Sequence, residues 1–129
     1  MELARNVMFV TASALLVTLA GCATTPRNPL VDSADTLAHS AHALADHSDA
    51  ISPTLEWDAH QLAESTFQFR TAVPVNGTDD ASAKAAFGAV ARNYQKVNED
   101  VNQVNTANAR AALRPVTEAY QAVARQMGG

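Results

Sequence analysis

The stretch Phe87-Gly-Ala-Val90-Ala-Arg-Asn-Tyr94-Gln-Lys-Val97-Asn-Glu-Asp-Val101-Asn-Gln-Val104 decides the fold class. Its large apolar residues fall at Phe87, Val90, Tyr94, Val97, Val101 and Val104, at alternating intervals of three and four. That spacing lays them along one stripe of an α-helix, with polar residues around the rest of the circumference. A half-buried strand needs strict alternation, and no stretch of the chain alternates for long enough.

Working outward from this seam gives the other helices. Continued toward the C-terminus, the register reaches Asn108 and Ala111, where the apolar signal fades. A new register then starts with Leu113, Val116, Tyr120, Val123 and Met127. The change of register predicts a break between Asn105 and Asn108 and a fourth helix over 109–126, ended by Gly128 and Gly129. Pro115 leaves two alternatives: the first turn of a shorter fourth helix, or a kink in a single long third helix. The change of register favours four helices over three.

Toward the N-terminus, Pro74 to Asp80 is the clearest loop, with Asn76-Gly77 at its centre. Before it, Leu55, Ala59, Leu62, Thr66, Phe69 and Val73 form a second seam, predicting a helix over 53–73. Ser52 and Pro53 suit its N-cap and first position. Leu30, Leu37, Leu44 and Ile51 recur every seven residues, with Ala34, Ala41 and Ser48 four after each of the first three. They predict a first helix from Leu30 or Asp32 to Ala50. Four seams of matched length joined by short loops predict an all-α, up-down-up-down four-helix bundle over residues 30–129.

Residues 1–21 differ from the rest. Arg5 precedes a run without charge from Val7 to Leu19. That run is too short for a spanning helix, which needs about 20 apolar residues, but suits the apolar core of a secretory signal. It ends in Leu19-Ala20-Gly21-Cys22, a motif that resembles the lipobox of bacterial lipoproteins. The resemblance covers residues 1–22. It implies cleavage before Cys22, a diacylglyceryl thioether on that residue and an acyl group, such as palmitate, on the new amino terminus. Ala23 stands where aspartate would favour inner-membrane retention, so the resemblance points to the outer membrane, with the domain in the periplasm. Residues 22–29, with Pro26 and Pro29, read as a lipidated cysteine and short tether.

Cys22 is the only cysteine. Once lipidated, it leaves the mature chain without a thiol for catalysis, redox chemistry or metal ligation. The net charge of −4 and the lack of a basic cluster argue against nucleic acid as a partner.

Two constellations are candidates for chemistry. Asp35, His39, His42 and Asp46 fall within about 60° of one another on the face opposite the leucine seam. They read either as a solvated polar face or as a divalent-metal site for zinc, copper or nickel. On the second helix Trp57, His60 and Phe67 lie away from the seam. They read either as the flank of a helix packed on two neighbours or as an exposed surface for a protein partner or self-association. Asn93, Asn98, Asn102, Asn105 and Asn108 read as solvent-facing side chains near a helix end, or as polar groups that set register. No phosphate loop, nucleophile elbow or paired Glu-x-x-His motif is present. The expectation is a non-enzymatic, lipid-anchored envelope protein, with metal binding as the alternative. An acid–base role would need His60 in a cleft between helices.

Overall fold

The computed structural model of the chain describes residues 27–75 and 81–128. The signal segment, Cys22 and residues 76–80 of the 74–80 loop lie outside the described residues. Within them the chain is all-α: α1 (Leu30–Ser48), α2 (Pro53–Ala72), α3 (Ala81–Val104) and α4 (Ala107–Gly128). Each helix packs on its neighbours in sequence, and α4 closes the ring against α1. This is the up-down-up-down bundle. No described helix is long and apolar enough to cross a membrane.

The seams become the core. Leu30, Leu37, Leu44, Leu55, Leu62, Phe69, Val90, Val97, Val101, Leu113, Val116 and Val123 are all buried. Burying a side chain of this size stabilises by roughly 1.5–3 kcal/mol. Small residues lie between the large ones: Ala34, Ala41, Ala59, Ala83 and Ala109 are fully buried, which lets neighbouring backbones approach. Between α3 and α4 the filling is aromatic instead. Phe69 meets Phe87 at a centroid distance of 5.5 Å. Phe87 stacks on Tyr120 at 5.4 Å, and Tyr120 on Tyr94 at 4.2 Å. The Tyr94 hydroxyl reaches Thr117 Oγ1 at 2.8 Å, so the half-buried end of the stack keeps a polar partner. Burial and the neighbouring Tyr94 raise the pKa of Tyr120.

The helix ends follow local chemistry. Ser52 caps α2 by accepting from the Leu55 N–H at 3.2 Å, with Pro53 at the first position. Asn105 takes φ of +56°, which Asn tolerates better than most residues, and this turns the chain out of α3. Its backbone N–H still donates to the Val101 carbonyl. Thr106 then caps α4, accepting from the Ala109 N–H at 3.1 Å. The break therefore falls at Asn105–Thr106, and α4 starts at Ala107 rather than Ala109. Asn105 also accepts from Arg110 Nη1, and Asn93 donates across to the Gln61 carbonyl of α2. Asn102 and Asn108 are exposed.

Three expectations need correction. First, α1 ends at Ser48, not Ala50. The buried Ser48 hydroxyl donates to the Ala45 carbonyl, while its own carbonyl accepts from Ile51 and Ser52. Second, Pro115 neither opens a helix nor kinks a long α3. It sits in the interior of α4. Its ring and the Ala111 carbonyl it leaves without a helical donor belong to exposed residues, where water can serve that carbonyl. Pro115→Ala is expected to raise the unfolding free energy by about 2 kcal/mol, less than the full penalty for a buried proline. Urea denaturation followed by circular dichroism measures it.

Third, the last residues expected in the tether are fastened to the bundle. The Asn28 N–H donates to the Val75 carbonyl at 2.9 Å, and its side chain accepts from the Leu30 N–H at 3.0 Å. Arg27 pairs with Asp32 at 3.1 Å. Asn28 is buried, so it both starts α1 and ties that start to the chain leaving α2.

Candidate functional site

The α1–α2 contact carries an open groove of about 490 Å³ lined by Asp35, Ala38, His39, His42, Phe67, Arg70 and Thr71. It brings together residues from both constellations singled out in the sequence. Successive turns of α1 supply Asp35, His39 and His42, and the last two turns of α2 supply Phe67, Arg70 and Thr71. Phe67 and Phe69 are two residues apart and so point to different sides of α2. Phe69 is fully buried, while Phe67 is 58% exposed.

The groups in the groove have defined roles. Each imidazole bonds through Nδ1 to the carbonyl four residues earlier: His39 to Asp35 and His42 to Ala38, both at 2.9 Å. A carbonyl only accepts, so Nδ1 carries the proton. In the neutral ring each Nε2 then carries the lone pair. The Arg70 Nε donates to the Asp35 carboxylate, an ion pair that joins α1 to α2 across the groove.

Of the four metal-ligand candidates, the structure gathers Asp35, His39 and His42 along one groove. Asp46 is exposed and outside it. Among the described residues no group of three or more His, Cys, Asp or Glu side chains converges on a point that an ion would occupy. Asp35 is committed to Arg70 instead. Nothing in the sequence periodicity signalled that pairing, since its two members are 35 residues apart.

A second, open groove of about 470 Å³ lies on α2 itself, lined by Pro53, Glu56, Trp57 and His60. Trp57 is 68% exposed, the most exposed of the large apolar side chains among the described residues. His60 is exposed, and its Nδ1 donates to the Glu56 carbonyl at 2.8 Å. All four lining residues belong to one helix, so the groove is not the interhelical cleft that an acid–base role for His60 requires. Trp57 and Phe67 are about 15 Å apart along α2.

Sequence reasoning passed over one other group. Asp100 on α3 is only 9% exposed, and its Oδ2 has no hydrogen-bond partner. Its carboxyl meets that of Asp58 on α2. Burial first, then the hydrogen bond and charge of Asp58, then the charge of Glu99, push its pKa up to about 7. The signal was present: Leu55-Asp58-Ala59-Leu62 and Val97-Asp100-Val101-Val104 share one spacing, with an acid inside the apolar arc each time.

Compared with known proteins, the chain matches no family model, no curated protein and no solved structure.

Proposed function

We propose that this chain is a lipid-anchored, non-enzymatic protein of the bacterial envelope whose exposed α2 face, with the adjoining α1 groove, docks a protein partner. The carrying observation is the exposure of Trp57 and Phe67 on one helix, each beside an open groove. Large aromatic side chains left in water on a bundle whose seams are otherwise buried are typical binding anchors. Arg70 and the two imidazole Nε2 atoms supply polar contacts around Phe67.

The anchor sets where that face stands. With Cys22 acylated and Arg27 fastened to the bundle, the five residues' distance between them spans about 17 Å at most. The end of the bundle where α1 starts and α2 finishes then lies toward the bilayer. Phe67 and Arg70 sit near this end and Trp57 near the far one. Outer-membrane placement, with the bundle in the periplasm, follows from Ala23 after the lipobox.

Two measurements test the proposal. Metabolic labelling with a palmitate analogue is expected to mark the native chain and not Cys22→Ala, which also leaves the membrane fraction. Equal labelling or equal membrane retention would refute the anchor. A photo-crosslinker at Gln61 or Gln68, exposed on α2, is expected to give a discrete adduct in intact cells. The same group at Glu118 on α4 gives none, and Trp57→Ala/Phe67→Ala removes the α2 adduct. The docking reading fails if the α2 positions give no adduct, or if the double variant keeps it.

A further inference from the structure

Asp100 and Asp58 meet where α3 packs on α2, in a place poorly suited to two negative charges. Asp100 is nine-tenths buried, with one carboxyl oxygen unpartnered. The acid facing it from α2 is Asp58, and Glu99 stands beside it on α3. Among the described residues no cation balances them. Arg92 and Lys96 on α3 and Arg114 on α4 are exposed and form no ion pair with Asp100, and Arg110 of α4 donates to Asn105 instead. Helix α3 ends four residues later, so the negative end of its dipole adds to the cost of charge there.

Two carboxylates have only acceptors to offer each other. One proton turns the same contact into an O–H···O bond. We propose that Asp58 and Asp100 form a proton-held clasp between α2 and α3, and that losing the proton loosens this end of the bundle beside Trp57. The step releases one proton to solvent and leaves two carboxylates that each need water. Asp100 keeps only 9% of its surface in water, so fuller hydration of its charge favours a local parting of α2 and α3. Trp57 immediately precedes Asp58, so the groove formed by Pro53, Glu56, Trp57 and His60 moves with the clasp. If α2 is the docking face proposed above, docking becomes pH-sensitive; the clasp itself does not depend on that reading.

The test uses the full chain in mild detergent. Carboxyl carbon NMR follows Asp58 and Asp100 while emission follows Trp57, the only tryptophan. The pair is expected to give an upper titration step near pH 7. Trp57 emission should change with the same midpoint, and amide exchange around Asp58 and Asp100 should quicken above it by more than the roughly tenfold per pH unit that hydroxide catalysis alone gives. Asp100→Asn should abolish the emission step. Asp58→Asn should move the Asp100 titration to lower pH, because the amide donates to the carboxylate. His60→Gln, which removes the imidazole beside Trp57, should leave the step in place. Both carboxyls ionising in the ordinary acidic range would overturn the clasp. So would a Trp57 step that survives Asp100→Asn or vanishes in His60→Gln. If Asp100→Asn does not fold, the Asp58→Asn titration decides: an unchanged midpoint overturns the proposal. Loss of the α2 crosslink with the titration intact would count against docking alone.

Discussion

Phe69→Ala is expected to lower the unfolding free energy by about 3–5 kcal/mol, the usual range for emptying a fully buried aromatic site. The cost exceeds simple transfer because Phe69 begins a chain of rings. It contacts Phe87, which stacks on Tyr120, which stacks on Tyr94. This filling holds α3 and α4 at their spacing, so the space left by the ring closes only in part. Phe67→Ala is the natural contrast. Phe67 is exposed, and its truncation should change stability by no more than about 0.5 kcal/mol. Equilibrium urea denaturation of both variants separates the two roles. A large loss for Phe67, or a small one for Phe69, would reverse the assignment of which aromatic belongs to the core and which is available to a partner.

The difference between these two residues also shows what was legible in the sequence. Leu55, Ala59, Leu62, Thr66, Phe69 and Val73 repeat at helical spacing, so their common burial could be read directly, and all six are buried. The same periodicity places Phe67 off the seam and leaves it with the solvent. Helix ends were legible where a cap residue stands beside a proline, as at Ser52-Pro53. They were less so at Asn105-Thr106, where a left-handed Asn and a Thr cap do the work and the run of asparagines hides them. Pro115 leaves alternatives open in the sequence because its penalty depends on whether the freed carbonyl is wet, which only the packed bundle reveals.

The site was legible in part, for a related reason. Periodicity assigns residues to a face of their own helix. It does not say which face of the next helix stands opposite. Asp35, His39 and His42 line one groove from α1, but Arg70, which claims Asp35, comes from another helix. Asp58 and Asp100 each interrupt an apolar arc, yet only the packing of α2 on α3 turns two separate oddities into one contact.

That contact should govern the pH dependence of stability. Asp100 has a folded pKa of about 7 against an ordinary value of 3.8. Between those values the folded chain keeps a proton that the unfolded chain has released. Unfolding is then accompanied by proton release, so stability falls as pH rises through this window. Below the lower value both states are protonated and the site has no effect; above the upper one the loss is complete. A tenfold difference in proton affinity between the folded and unfolded chain corresponds to about 1.4 kcal/mol. Local opening that admits water to the ionised pair recovers some of the loss, which leaves an expected fall of about 2–4 kcal/mol between pH 4 and pH 8. Asp100→Asn isolates this contribution from all other titrating groups. Its amide matches the protonated acid in shape and offers Asp58 a donor. Native chain and variant should therefore unfold with similar free energies near pH 4, while near pH 8 the variant should be the more stable by about 2–4 kcal/mol. Denaturation at the two pH values measures the difference directly. A gap of equal size at both would mean that Asp100 is ionised throughout, and that α2 and α3 hold a buried charge without a proton to share.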